Sequence, residues 1–267
     1  MEKLYGFVAI LDALGVSNYK IDEASQFILQ KEALLKELTK EADGIASQFN
    51  LFSERKHEFP KMAITTFGDT IIVCWPTGRE KDPIIKFPGV ARWLQGAIAL
   101  GIKFGILLRG SISIGEYLVE ENNTILGPAI ADANAWAGEA DWFGVILTPH
   151  CQIYLTTILE NKVMNSAINV NFNYMCVKYP VPLHQNKKKD LYAISWPFDF
   201  LGRFAKTNTG LVNLTQLLSN SSIPIGVETK YENSIEFFKW YEDKIYPILL
   251  RDMQEKLKGQ KMAVKRE

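Results

Sequence analysis

Along its first third, the chain combines a buried strand, a long helix and a hairpin. Residues 4–11 are an apolar, partly β-branched run, which predicts a buried strand. Residues 22–46 carry apolar side chains at helical spacing behind an aspartate that can cap a helix. Two strand-like runs, 61–67 and 70–75, flank a Gly-Asp pair, which predicts a hairpin with a two-residue turn.

The middle of the chain alternates strands with helices that begin at prolines. Pro88 is expected to open a second amphipathic helix, because proline suits the first helical turn. The other predicted elements here are a strand at 106–114, short strands at 117–119 and 124–126, a helix from Pro128 to about Ala140, a strand at 145–147 and a helix from Pro149.

The last part adds a strand pair and further helices. Residues 168–181 alternate like an exposed antiparallel strand, with which residues 191–196 can pair. Asn233 is expected to cap a final helix over 235–257, which Pro247 kinks or breaks.

This order of elements predicts an α+β sandwich, in which helices cover a mostly antiparallel sheet. We place a boundary near Pro197. Residues 1–197 then form the main domain, and residues 198–267 form a C-terminal helical appendage.

Composition excludes some classes of protein. The chain has 267 residues, with 30 Lys plus Arg against 30 Asp plus Glu, which argues against a nucleic-acid partner. The apolar run near the amino terminus is too short for a membrane span, so we expect a cytoplasmic protein. The three cysteines lack metal-site spacing and are expected to be reduced thiols, and the three histidines are dispersed.

Two aspartates are the strongest chemical candidates. Asp12 ends an apolar strand, and Asp69 lies in the turn of the hairpin. A carboxylate in such a place is costly unless it is solvated, paired or bound to a cation. If the strands are neighbours, both carboxylates can hold Mg²⁺ or Mn²⁺, and Gly15 allows backbone N–H groups to approach a phosphate. The alternative is that both aspartates only form turns.

The motifs around these residues resemble those of the class III nucleotidyl cyclases. The stretch 10–17, Ile-Leu-Asp-Ala-Leu-Gly-Val-Ser, is similar to that family's first strand, and residues 66–69, Thr-Phe-Gly-Asp, are similar to its central hairpin. Residues 109–115 look like the following strand, and residues 127–133 look like the next glycine and helix. The likeness covers roughly residues 5–149.

The resemblance implies a class III cyclase-like sandwich that acts as a homodimer with shared active sites. In it, the 3′-hydroxyl of a nucleoside triphosphate attacks the α-phosphorus, giving a cyclic nucleotide and pyrophosphate. Two Mg²⁺ or Mn²⁺ ions would be held by Asp12, Asp69 and the backbone carbonyl of Ala13. The implied substrate-binding residues are Gly15, Val16, Ser17, Gly68, Thr65 and Thr124.

The chain departs from the family at two helix positions. Where the family usually carries an Asn and, four residues on, an Arg that stabilises the transition state, this chain has Ala131 and Ala135. Asn134 and Arg109 are the candidates to replace them as catalytic residues. As alternatives, Asn134 is a surface residue and Arg109 pairs with an acid such as Glu116.

The base-selecting positions also depart from the family. Thr65 and Thr124 stand where purine-specific members carry other residues, and their hydroxyls specify no purine edge. With its short, divergent motif set the chain resembles the pyrimidine cyclases of bacterial antiphage (Pycsar) systems, which make cyclic UMP or cyclic CMP for a separate effector, and residues 181–197 also look like that subgroup. UTP or CTP is therefore the expected substrate, and the alternative is a catalytically degenerate nucleotide-binding or scaffold module.

Overall fold

One sheet organises the protein in the computed structural model, which describes residues 2–16, 19–52, 61–78, 83–120, 124–160, 172–205, 210–220, 223–224 and 226–264. Its strands are β1 Glu2–Ala13, β2 Ala63–Phe67, β3 Thr70–Pro76, β4 Leu108–Val119, β5 Ile125–Leu126, β6 Gly144–Leu147, β7 Cys176–Leu183 and β8 Lys187–Ile194. The strand order is β2-β3-β1-β4-β6-β8-β7, and β5 pairs with β4. Among the described strand pairs, β4 and β6 run parallel and the others antiparallel.

Helices cover both faces of the sheet. They are α1 Ile21–Phe52, α2 Pro83–Phe104, α3 Pro128–Ala137, α4 Pro149–Glu160, α5 Trp196–Phe204, α6 Gly210–Leu218, α7 Glu228–Lys244 and α8 Tyr246–Val264. None of the described helices is both long and apolar enough to cross a membrane.

The central strand β1 divides the core into two layers. Its alternating side chains point to opposite faces, as the pleat requires. Phe7, Ala9 and Leu11 pack in the larger core with α1 and α2, while Val8 and Ile10 pack in a smaller core under α3. β3, α2 and β4 form a split β-α-β unit, with β1 between its two strands.

The C-terminal helices pack on the larger core. Phe200 of α5 and Phe237, Phe238 and Tyr241 of α7 are fully buried there. α5 also contacts α1, because Arg203 of α5 donates hydrogen bonds to both carboxylate oxygens of Glu41 on α1. The prediction of an α+β fold with a mostly antiparallel sheet and C-terminal helices is confirmed; the boundary near Pro197 stays a prediction.

Three predicted helix starts are wrong. Asp22 lies in the first turn of α1, which begins at Ile21, and does not cap it. Pro88 lies inside α2, which begins at Pro83, because the apolar residues Ile84 and Phe87 extend the buried face of the helix backwards. Asn233 lies inside α7 and does not cap it. Its side-chain amide instead donates a hydrogen bond to the backbone carbonyl of Asp141.

Strand limits also differ from the prediction. Residues 108–114 of the first predicted run and residues 117–119 belong to one strand, β4, because it pairs with β1 along its whole length; residues 106–107 precede that strand. The strand predicted at 168–181 is observed at Cys176–Leu183, and residues 168–171 lie outside the described part of the chain. The final helical segment does break next to Pro247, as predicted: α7 ends at Lys244, and Pro247 lies in the first turn of α8.

The three cysteines are free and buried, so their thiols should be unreactive in the folded protein. Burial raises the pKa of the Cys74 thiol to about 12, and it also raises the pKa of Cys151 and Cys176. Because only the thiolate reacts, we expect no thiol to titrate with a disulfide reagent at pH 8 in the native state, and three to titrate in guanidinium chloride. A thiol that reacts rapidly without denaturant would contradict this expectation.

Candidate active site

The register of β1 brings the two candidate aspartates to one edge of the sheet. Asp12 pairs across β1 and β3 with Thr70, whose hydroxyl donates to Asp12 Oδ1 at 2.7 Å. The N–H of Ala13 donates to the carbonyl of Asp69 at 3.3 Å. On the other side of β1, Asp12 pairs with Arg109 of β4. Asp12 of β1, Asp69 of the β2–β3 turn and Arg109 of β4 are therefore brought together at one end of three adjacent strands.

These side chains line one open cavity of about 390 Å³. Asp12, Asp69 and Arg109 are each half-buried. The residues around the cavity are Asp12, Ala13, Leu14, Gly15, Val16, Asp69, Thr70, Arg109, His184, Pro224, Val227 and Lys230. A group bound there would face two carboxylates and two fixed cations.

Arg109 is oriented by the backbone and keeps donors for an anion. Its Nη1 donates to the carbonyl of Gly138 at 3.2 Å. Its buried Nε has no hydrogen-bond partner within the described residues. The alternative pairing with Glu116 is wrong, because Glu116 lies seven positions further along the same strand, roughly 23 Å from Arg109. Glu116 forms an ion pair with Lys3 at 3.1 Å. A guanidinium with unused N–H groups at a cavity wall suits a phosphate oxygen.

The turn after β1 closes one side of the cavity. Gly15 has a φ of 82°, a left-handed conformation that favours glycine. A Cβ at Gly15 would lie 2.7 Å from Pro224 Cγ, so the turn fits tightly under the segment that precedes α7. Val16 also lines the cavity, while Ser17 lies outside the described residues.

Three other candidate residues, Gly68, Thr65 and Thr124, are not among the described residues of the cavity wall. Gly68 lies at the exposed hairpin tip, where its carbonyl accepts a hydrogen bond from Lys31. Thr65 is half-buried in β2, opposite Ile72. Thr124 precedes β5, which pairs with the far end of β4. Since β4 has 12 residues, Thr124 lies roughly 35 Å from the Arg109 end.

Asn134 lies on α3, whose position is fixed by buried hydroxyl groups. Ser113 and Thr148 both donate to Asp132 Oδ2 at 2.6 Å, and Ser111 donates to the Ala133 carbonyl at 2.6 Å. The opposite face of α3, with Ala131, Asn134 and Ala135, is exposed. Asn134 is thus a surface residue of the single chain, available to another molecule.

Sequence reasoning missed Lys230, His184 and Pro224. Lys230 belongs to α7, far along the chain from Asp12, and no motif marks it. His184 follows β7 and was counted among dispersed histidines. The only sequence signal for Pro224 is its loop position. All three reach the cavity through tertiary packing, which local patterns do not reveal.

The donor atoms suit Mg²⁺ or Mn²⁺. Asp12, Asp69 and the backbone of Ala13 supply oxygen atoms at the cavity wall, and Mg²⁺ commonly binds one or two carboxylates together with substrate phosphates. No group of three or more His, Cys, Asp and Glu side chains able to hold a metal occurs within the described ranges. The set therefore fits a metal that arrives with a phosphorylated substrate.

Replacing Gly15 should disturb the fit between the first turn and the C-terminal segment. We expect Gly15→Ala to lower the free energy of unfolding by about 2–3 kcal/mol, because the methyl group adds a clash to the strain of positive φ. Gly78→Ala is the matched control, since Gly78 has a φ of 72° and open space around its Cβ. It should cost only about 1 kcal/mol. Urea denaturation measures both, and equal losses would refute the contact.

Comparisons with known proteins give similarities in structure only. No protein-family model matches the sequence, and no curated protein matches it. The catalytic core of a rhodopsin-guanylyl cyclase with converted specificity, in complex with ATPαS, is 12% identical with a TM-score of 0.41, and the match covers 72% of this chain and 97% of that one.

Two further solved structures are similar. One is the monomeric guanylyl cyclase domain of the RhoGC fusion protein from the aquatic fungus Blastocladiella emersonii, at 13% identity, a TM-score of 0.38, and 58% and 88% coverage. The other is the adenylyl cyclase CyaB from P. aeruginosa, at 13% identity, a TM-score of 0.38, and 72% and 94% coverage. At TM-scores below 0.5, these similarities assign no activity, which has to be argued from the cavity itself.

Proposed function

We propose that this chain is a nucleotidyl cyclase, which converts a nucleoside triphosphate to a 3′,5′-cyclic nucleotide and pyrophosphate. The observation that carries the proposal is the meeting of Asp12, Asp69 and Arg109 in one cavity. Two carboxylates for cations, beside a cation for phosphate oxygens, suit displacement at phosphorus. If the two aspartates only formed turns, that role would not explain why Arg109 lies at the same cavity wall.

In the reaction, a bond forms between the 3′-oxygen and the α-phosphorus, and the bond to the pyrophosphate oxygen breaks. The 3′-hydroxyl proton passes to solvent, and pyrophosphate leaves with the electron pair. Two divalent cations bound by Asp12 and Asp69 would supply Lewis acidity for the attacking and leaving oxygens. Thr70 orients the Asp12 carboxylate through its 2.7 Å hydrogen bond, and Arg109 offers N–H donors to the charge that develops on phosphate.

The proposed active form is a homodimer in which each site uses residues of both subunits. Thr124 and Asn134 do not reach the cavity of their own chain, so they can contribute only to that of a second chain. Exposed apolar side chains support such a contact: Phe67 is 85% exposed at the hairpin tip and Leu126 is 67% exposed on β5.

UTP or CTP is the proposed substrate, and the product would serve as a second messenger. Thr65 and Thr124 supply short hydroxyls that do not specify a purine edge and that can donate to or accept from a pyrimidine. We place the protein in the cytoplasm of a bacterium, in antiphage defence, with a separate effector that reads the cyclic nucleotide. Equal numbers of acidic and basic residues support a nucleotide substrate over a nucleic acid.

A second candidate function is a catalytically degenerate cyclase-like module that binds nucleotide without turning it over. The observation that favours it is the pair Ala131 and Ala135 on the exposed face of α3, where neither side chain can donate a hydrogen bond. Calorimetry that detects nucleotide binding, together with no product at high protein concentration, would decide for this alternative.

Removing either carboxylate should strongly lower the rate of cyclisation. With Mn²⁺ and each of the four ribonucleoside triphosphates, wild-type protein should yield one cyclic product, measured by liquid chromatography. Asp12→Asn and Asp69→Asn should each lower kcat at least about 100-fold, because a neutral amide holds a divalent cation poorly. Asp43→Asn, at an exposed acid of α1, is the control and should keep full activity. Retained activity in Asp69→Asn would refute the metal assignment.

Asn134 should act in the transition state. We expect Asn134→Ala to lower kcat about 100-fold with little change in KM, as for the loss of one donor to developing charge. Gln216→Ala removes another exposed helical amide, on α6, and should leave both parameters unchanged. If Asn134→Ala matches this control, Asn134 has only a surface role.

A further inference from the structure

A lysine from the C-terminal helices lies in the candidate active site. Lys230 is in the first turn of α7, and it lines the same cavity as Asp12, Asp69 and Arg109. Val227, directly before α7, lines it too. The amino-terminal end of a 17-residue helix therefore faces the cavity, and its partial positive charge adds to that of the lysine.

Contacts of both the side chain and the backbone fix the position of Lys230. Its Nζ forms an ion pair with Asp141 Oδ1 at 3.0 Å, and the two side chains are only 14% and 19% exposed. Ser234, one turn later, donates to the Lys230 carbonyl at 2.6 Å and accepts from the N–H of Phe143 at 2.8 Å. Asn233 donates to the Asp141 carbonyl at 2.7 Å. The start of α7 is thus clamped to the segment 141–143.

The clamp leaves Lys230 able to bind a second anion. An ammonium group has three N–H donors, and the ion pair with Asp141 uses one of them, so two can still donate to another anion. Desolvation inside the cavity strengthens its attraction for phosphate oxygens. A surface lysine would instead be mobile and screened, so partial burial at this wall distinguishes Lys230 from the exposed lysines of α7.

The geometry points to Lys230 as a ligand of the triphosphate tail, with Asp141 as the residue that positions it. This inference rests on the proposed nucleotide site. The reacting α-phosphorus must lie at the carboxylates of Asp12 and Asp69, on β1 and the β2–β3 turn. A cation contributed by α7 then meets the β- and γ-phosphates, which leave as pyrophosphate. The C-terminal helices are in this way part of the substrate site.

Binding measurements with substrates that cannot cyclise test the inference. Isothermal titration calorimetry with Mn²⁺ uses the four 3′-deoxynucleoside triphosphates, which lack the attacking hydroxyl, and then the monophosphate of the one that binds tightest. Lys230→Ala should raise Kd for the triphosphate about tenfold, the loss of one charge-assisted hydrogen bond, and leave Kd for the monophosphate unchanged. Lys230→Arg should restore triphosphate binding to within about threefold of wild type.

Two matched variants separate this role from a structural one. Lys239→Ala removes an exposed lysine of the same helix and should bind as wild type does. Asp141→Asn breaks the same ion pair but keeps Lys230, so it should lower the melting temperature as much as Lys230→Ala while raising the triphosphate Kd only about threefold. If the two ion-pair variants lose triphosphate affinity equally, Lys230 is structural and the inference is overturned.

The outcomes also separate this inference from the proposed function. Triphosphate binding that depends on Lys230, without any cyclic product from ribonucleotides, overturns the cyclase and keeps the phosphate contact. Cyclic product with unchanged triphosphate affinity in Lys230→Ala overturns the contact alone. If no triphosphate binds wild-type protein, both fall.

Discussion

The antiparallel pairing of β1 with both β3 and β4 is the constraint on which the candidate site depends. It sets Asp12 between Thr70 and Arg109 and brings Asp69 next to Ala13. A slip of one residue would turn every β1 side chain to the other face, and Asp12 would enter the apolar core under α1 and α2. The cost of burying that carboxylate excludes the slipped register. The same alternation that stabilises the sheet therefore fixes the geometry of the cavity.

Much of this first half could be predicted from the sequence because its signals are local. The apolar run before Asp12 and the Gly-Asp turn of the hairpin predict two strand ends with a carboxylate at each. Their meeting needed only one further assumption, that the two strands are neighbours. Arg109 was harder to place, because its partner could have been any acid on an adjacent strand; the structure shows its Nη1 bound to the Gly138 carbonyl.

The rest could not be predicted, because it depends on contacts between distant segments. Asn233 has the side chain of a good helix cap, but its amide donates to the backbone carbonyl of Asp141 instead. Nothing near Asn233 in the sequence indicates this hydrogen bond. Pro88 suits a helix start, yet α2 already begins at Pro83, because Ile84 and Phe87 are buried. In both cases tertiary packing overrides a correct local preference. Lys230 had no local signal at all, since a single lysine on a helix usually lies in solvent.

The position of Lys230 follows from the hydrophobic face of its own helix. Lys230, Ser234, Phe237 and Tyr241 recur at intervals of three and four residues, so they share one stripe of α7. Ser234, Phe237 and Tyr241 are fully buried, and Phe237 packs against Trp142 with ring centroids 4.8 Å apart. Trp142 directly follows Asp141, the partner of Lys230. Because these aromatic side chains are buried, α7 is oriented so that Lys230, in its first turn, lies at the cavity wall. The packing of Phe237 on Trp142 that holds α7 on the core also positions Lys230. The C-terminal helices are therefore not peripheral to the cavity.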